Sequence, residues 1–198
     1  MREGKAKVLD DTEFKRLIRI AGVEKHAERN VAVCMCLWGL GMRVGEVAAI
    51  RIQDVLAEDG NVRNHFQVRR RDSKTNTNRD IYLSNPKLRR ALKGYIDHRH
   101  KTEGPNITAG SFLFRSQKGG GFSPNSLQQM VKRLARKAGL PETVSSHSGR
   151  RFFASRVLAA GTDVKSLSAL LGHASVRQSI SYCDTNPLVL ERVAANVI

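Results

Sequence analysis

His147 and Arg150 stand three residues apart in the stretch SSHSGRRFFAS. On a helix that spacing puts both side chains on one face, and an imidazole beside a guanidinium makes a hydrogen-bonding site for an anion. Taken alone, the pair equally describes an ordinary basic helix surface. Other residues bring related chemistry. Arg43 follows the glycine break at Gly39 and Gly41, Lys74 lies in the polar run RDSKTNTN, His173 follows Gly172, and Tyr182 comes nine residues after His173. Two arginines can grip the non-bridging oxygens of one phosphodiester, while imidazoles hydrogen-bond to charge that builds in the transition state. A tyrosine is then the natural nucleophile.

These residues occur in an order that resembles the tyrosine recombinase (phage integrase) family over roughly residues 10 to 185. The matching pieces are GLGMRVGEVAAI, SKTNTNRDIYL, LFRSQKGGGFSPNSLQQMVKRLARKAGL and HSGRRFFASRVLAAGTDVKSLSALLGHASVRQSISYCD. The spacing of 23 from Arg150 to His173 and nine to Tyr182 is the most specific part of the match. The resemblance implies that Arg43 and Arg150 hold a scissile phosphate and that His147 and His173 support the transition state and assist proton transfer. It further implies that Lys74 protonates the departing 5′ oxygen and that Tyr182 attacks phosphorus to give a 3′-phosphotyrosine, with no metal and no cofactor. Ser148, Gly149, Arg151 and Gly45 depart from the family's commoner residues. None of them removes an implied catalytic side chain, and Gly149 is expected to let the backbone approach DNA.

Composition points the same way. Lysine and arginine number 34 against 18 acidic residues in 198, a net charge of +16, and the basic residues bunch in QVRRRDSKTNTNRD, KLRRALKG and KRLARK. Clustered excess positive charge attracts phosphate backbones, so the expected partner is double-stranded DNA. Three cysteines, two of them in the apolar run VAVCMCLWGL, fit buried thiols in a reducing compartment rather than a disulfide framework. That run is too short to span a bilayer, and the first residues lack the apolar core of a secretory signal. No membrane association and a cytoplasmic location in a bacterium, phage or mobile element are expected.

The elements that must position these residues read as mainly helical. Asp10, Asp11 and Thr12 offer caps for a helix that ends at Gly22, a second helix runs from Ala27 to Leu40, and a short third one opens at Arg43. HFQVRR and RDIYLS alternate like strands on either side of the polar run, which makes a β-hairpin with Lys74 near its tip. Helices follow from Pro86 to His100, from Ser123 to Ala138, from Ser148 to Ala160, from Asp163 to Leu171, from Val176 to Cys183 and from Pro187 to Ile198. The expected fold is therefore α+β, mainly α-helical, with a small antiparallel sheet, and the resemblance implies that it is a tyrosine recombinase catalytic domain spanning residues 1 to 198. It is expected to be a single domain without the helical DNA-clamping domain that precedes the catalytic domain in two-domain integrases. The segment 187–198 carries an apolar face formed by Leu188, Leu190, Val193, Ala194 and Val197. The resemblance implies that it docks on a neighbouring protomer in a DNA-bound tetramer, with accessory DNA-bending proteins as further partners, and packing on its own domain is the alternative.

Several alternatives stay open at the level of sequence. Arg43 and Glu46 have the spacing of a helix-surface ion pair. Arg71 or Arg79 can take the place given to Lys74, and His173 can serve as a helix C-terminal cap. Cys183 is a rival nucleophile beside Tyr182. DVKSLSALLGHASVRQSISY also reads as the helix-turn-helix of a non-catalytic DNA-binding protein, and a relative whose main output is DNA relaxation would carry the same residues.

Overall fold

A computed structural model describes residues 6–69, 78–117 and 119–183 together with 191, 194 and 195. Among these, the chain forms α1 (Asp11–Val23), α2 (Ala27–Gly39), α3 (Val44–Ala49), α4 (Ile52–Val55), β1 (His65–Val68), β2 (Arg79–Tyr82) and α5 (Pro86–Glu103). It continues with α6 (Pro124–Lys137), α7 (Ser146–Ala159), α8 (Val164–Leu171) and α9 (Arg177–Cys183). The architecture is the expected one, mainly helical with a two-stranded antiparallel sheet.

α2 is the centre of the core. Ala32, Val33, Cys34, Cys36, Leu37 and Trp38 are all buried on it, so it is apolar on nearly every side, as a helix surrounded by others must be. α1, α5 and α7 pack around it. Burial pushes the Cys34 and Cys36 thiols up to about 12, which leaves them unreactive at neutral pH. A smaller satellite cluster, Ala154, Leu158, Leu167 and Leu171, joins α7 to α8, with Phe153, Val157 and Tyr182 packed against it.

Local chemistry fixes most helix ends. Asp10 caps α1 through the Glu13 N–H at 2.8 Å, Ser123 caps α6 through Ser126, and Asp163 caps α8 through Lys165 and Ser166. In each case a side-chain oxygen takes one of the backbone donors that the first helical turn leaves open. α7 begins two residues earlier than its sequence suggests, because the Ser148 hydroxyl accepts from the Ser145 N–H at 3.1 Å. α5 runs three residues past His100, where Arg99 grips Glu103 and the carbonyls of Phe112 and Leu113. The short α4 was not foreseen. It is set by Asp54 accepting from the Arg51 N–H at 2.8 Å.

In the hairpin the register pairs His65 with Tyr82, Phe66 with Ile81, Gln67 with Asp80 and Val68 with Arg79. Alternation turns Phe66, Val68, Arg79 and Ile81 inward. A guanidinium therefore enters the protein on the core face of a strand. Lys74 lies outside the described residues, as does most of the 187–198 segment; residues 191, 194 and 195 of it are helical.

Gly149 has a different reason from the one expected. A Cβ there would lie 2.8 Å from the Leu37 carbonyl oxygen and 3.1 Å from the Trp38 ring, so its absence lets α7 touch the backbone of α2. Alanine is the better helix former by about 1 kcal/mol, yet overpacking a tight contact costs about 1–3 kcal/mol. Gly149→Ala should therefore lower the unfolding free energy in urea denaturation. An increase would show that α7 and α2 are not in this close contact.

Candidate active site

The C-terminal end of α8 is the meeting point of the site. The last carbonyls of a helix have no partner within it and carry its negative dipole end. Here three consecutive ones are taken by arginines from three different elements. Leu170 O accepts from Arg79 Nη1 at 2.5 Å, Leu171 O from Arg150 Nη2, and Gly172 O from Arg43 Nη2 at 3.3 Å. Arg79 comes from β2, Arg150 from the first turns of α7, and Arg43 from the N-cap of α3. Gly172 closes α8 in the left-handed conformation with φ of 60°, and a Cβ on it would fall 2.3 Å from Arg79 Cδ. Both its backbone angle and the neighbouring arginine require glycine.

Glu46 is the counter-charge. It is 3% exposed and accepts from the Arg43 backbone N–H and Nη1, each at 2.8 Å, and from Arg79 Nη2. Burial alone would raise its carboxyl, but the Arg79 charge and the hydrogen bonds and charge of Arg43 carry it below the usual carboxylate range. The Arg43–Glu46 pair does form, although buried rather than on a helix surface. Arg150 donates its second Nη to the Gly41 carbonyl at 2.8 Å. Burial, then the like charges of Arg43 and Arg79, push its guanidinium down to about 10, against the opposing pull of Glu46 and Tyr182. It stays charged at neutral pH. Its two bonds to carbonyls use only part of the five N–H donors a guanidinium carries.

Arg43, Glu46, Arg150 and His147 line one cavity of about 340 Å³. His147, exposed in the first turn of α7, also lines a second one of about 730 Å³ with Tyr182, Lys132 and Arg151. It is the shared wall between the paired arginines and the tyrosine. His173 follows Gly172 directly. Its Nδ1 lies 2.7 Å from Ser179 Oγ, and its ring stacks on Tyr182 with centroids 6.0 Å apart and an angle of 9° between the planes. Burial, then the charges of Arg150, Arg43 and Arg79, lower the imidazole to about 4. His173 is thus neutral at pH 7 and able to accept a proton.

The structure therefore brings Arg43, His147, Arg150 and Tyr182 to the walls of two adjoining cavities and stacks His173 on Tyr182, while the Lys74 assignment falls outside the described residues. Arg79 is no substitute for Lys74 here. Both its Nη groups are bound inside the protein, and it lines neither cavity. Sequence reasoning missed Glu46 as a buried hub, Arg79 as an anchor and Ser179 as the partner of His173. For Arg79 a signal was present: it shares the inward parity of Ile81 in RDIYL. Ser179 had none. α8 and α9 do form two helices joined by a turn, but the turn is occupied by His173 and capped by arginines rather than open.

The fold and the sequence place the chain in a known family. The model of the phage integrase family matches residues 7–188, and the chain belongs to that family. It is 30% identical over 176 residues to tyrosine recombinase XerA of Pyrococcus furiosus, covering 89% of this chain and 56% of that protein. It is 30% identical over 156 residues to tyrosine recombinase XerC of Mesorhizobium japonicum, covering 79% and 46%. The crystal structure of XerA recombinase superposes with a TM-score of 0.77 at 29% identity, over 95% of this chain and 62% of that one. The Tn1549 transposon integrase in complex with transposon right end DNA shares the fold, with a TM-score of 0.73 at 20% identity over 98% and 68%. The chain spans about half the length of the sequence relatives it matches.

The state of His173 can be tested in the DNA-free protein. An unfolded histidine titrates near 6.5, so between that pH and about 4 the unfolded chain binds a proton that the folded site excludes. Stability should fall as pH drops through this window. His173→Asn should flatten that slope in urea unfolding, with the remainder coming partly from His26, which is also lowered by burial and by Arg29. An NMR midpoint for His173 near 6.5, or an undiminished slope, would contradict the assignment.

Proposed function

We propose that this chain is the catalytic domain of a site-specific tyrosine recombinase, which cleaves and rejoins strands of double-stranded DNA through a 3′-phosphotyrosine intermediate. One observation carries the reading. The candidate residues Arg43, Arg150, His147, His173 and Tyr182, scattered over 140 positions of the sequence, gather at one helix end and two adjoining cavities in a member of the phage integrase family. The DNA seen with the Tn1549 integrase, a relative in fold, lends support to DNA as the partner, as does the net charge of +16.

In this reading Arg43 and Arg150 hold the non-bridging oxygens of the scissile phosphate, with their guanidiniums fixed beforehand by the α8 carbonyls and Glu46. Donors held in place before reaction stabilise developing charge without reorganising. The Tyr182 oxygen attacks phosphorus, forming the new O–P bond as the bond to the 5′ oxygen breaks. The phenolic proton leaves through a neighbouring base, His173 or His147, and the 5′ oxygen takes up a proton from Lys74. Because phosphodiester energy is kept in the tyrosine ester, a 5′ hydroxyl can reverse the reaction on the same or another strand. No metal or cofactor has a part in these steps.

The finer parts of the reading concern assembly. The chain acts as one catalytic domain over residues 1–198, its 187–198 segment docks on a neighbouring protomer, and four protomers with accessory DNA-bending proteins carry out full exchange. Its setting is the cytoplasm of a bacterial, phage or mobile-element host. Among the described residues no helix is long and apolar enough to cross a membrane.

A nicked suicide duplex tests the chemistry directly. The protein should form a denaturation-resistant adduct in the presence of EDTA, with a 3′-phosphotyrosine mapped to position 182. Tyr182→Phe should lose the adduct at least 10³-fold while keeping duplex affinity, since only the attacking atom is removed. An adduct that persists in Tyr182→Phe would move the nucleophile elsewhere, Cys183 first. Intact DNA under all conditions would favour the non-catalytic DNA-binding reading.

A further inference from the structure

Arg79 is the arginine of the site that the chemistry above leaves without a task. Its side chain is 3% exposed, Nη2 is bound to Glu46 and Nη1 to the Leu170 carbonyl. Its Nε is buried with no hydrogen-bond partner, and it lines neither cavity of the site. As a stabilising device this is poor design. A buried ion pair is often no better than well-packed apolar residues of similar volume, and an unpartnered buried N–H adds a further penalty. The neighbouring inward positions of the hairpin, Phe66, Val68 and Ile81, are apolar. What Arg79 does that an apolar side chain cannot is hold two acceptors at once in a rigid fork.

Those two acceptors lead to two different groups of the site. Glu46 passes its constraint to Arg43 by two hydrogen bonds. Leu170 lies three residues before His173 on the same helix end, and the packing of Arg79 against Gly172 fixes the turn between them. We propose that Arg79 is a positioning residue for strand cleavage: it never contacts DNA, and through Glu46 and the end of α8 it sets Arg43 and His173 in one fixed relation. Two groups on separate elements, α3 and the α8–α9 turn, are thereby registered to each other by a third, β2.

The proposal rests on the recombinase reading, and its test separates the two. Arg79→Met, Arg79→Lys, Glu46→Gln and the double variant Arg79→Met/Glu46→Gln are compared by three measurements. These are single-turnover adduct formation at saturating nicked duplex, duplex Kd, and the side-chain 15N resonances of Arg43 and His173 without DNA. Arg79→Met should lower the saturated rate about 10²-fold, the scale of a small misplacement of reacting groups, with Kd within about threefold and both resonances displaced. Arg79→Lys keeps the charge but has no fork, so it should recover the rate only in part. Residues acting through one network are non-additive. Arg79→Met should accordingly cost less when added to Glu46→Gln than when made in the native chain. Should Arg79→Met fail to fold, the double variant leaves no unpaired buried charge, and its rate should be about 10²-fold down at unchanged Kd. A folded variant with a saturated rate within about threefold of native would overturn the proposal. So would a defect wholly in Kd, which would make Arg79 a DNA contact. If the native protein forms no adduct, the functional reading fails instead, and the resonances alone decide: unmoved signals in Arg79→Met would still overturn the positioning role.

Discussion

Three guanidiniums share the end of one helix, and this arrangement is the constraint on which the site depends. Arg43, Arg79 and Arg150 repel one another, and among the described residues Glu46 is the carboxylate placed between them. The balance is made up by the carbonyls of Leu170, Leu171 and Gly172 and by the negative pole of α8. What remains is a partly desolvated excess of positive charge. Such a site stabilises a phosphate that enters it, and more so a phosphorane-like transition state with additional charge. Burial, and after it the same excess of charge, account for the neutral His173 and the lowered Arg150, each of which feels the other cations through a medium of low dielectric.

Rigidity and freedom are divided between the two parts of the site. The cations are built on elements rooted in the main core around Trp38 and Leu37, and the contact of Gly149 with the α2 backbone locks α7 in place. Tyr182 sits instead on α9, which leans on the small satellite cluster and leaves Ile180 exposed, as is Val176 just before the helix. An element held by few buried apolar contacts belongs to the less stable end of a fold. In the proposed function the phosphate grip is thus fixed, and the nucleophile is carried on the part of the domain with the lighter attachment.

Much of this was legible in the chain because it is local. The capping residues Asp10, Ser123 and Asp163, the glycines that end helices, and the H-x-x-R and L-G-H spacings each depend on a few neighbouring residues. They gave the helices, the hairpin and the list of candidate side chains. What escaped depends on contacts across the fold. Glu46 offered only the spacing of a surface pair with Arg43, and its role as a hub depends on Arg79, from a strand 33 positions away. Gly149 suggested an approach to DNA, whereas its neighbour is the Leu37 carbonyl on α2. Ser179 faces His173 only because α9 turns back on α8. The short α4 was missed because four residues carry too little periodicity to register.

The central claim is that the cation set is assembled in the free protein, ahead of the DNA proposed as its partner. Hydrogen exchange and Cζ–N rotation of the arginine side chains, followed by 15N NMR on the DNA-free protein, test it most directly. Hydrogen-bonded, buried guanidiniums should exchange and rotate far more slowly than Arg136, which is exposed on α6. Slow exchange and slow rotation at Arg79 and Arg150 in the absence of DNA are the predicted result. Rates equal to that of Arg136, becoming slow only when duplex is added, would mean that DNA itself assembles the site.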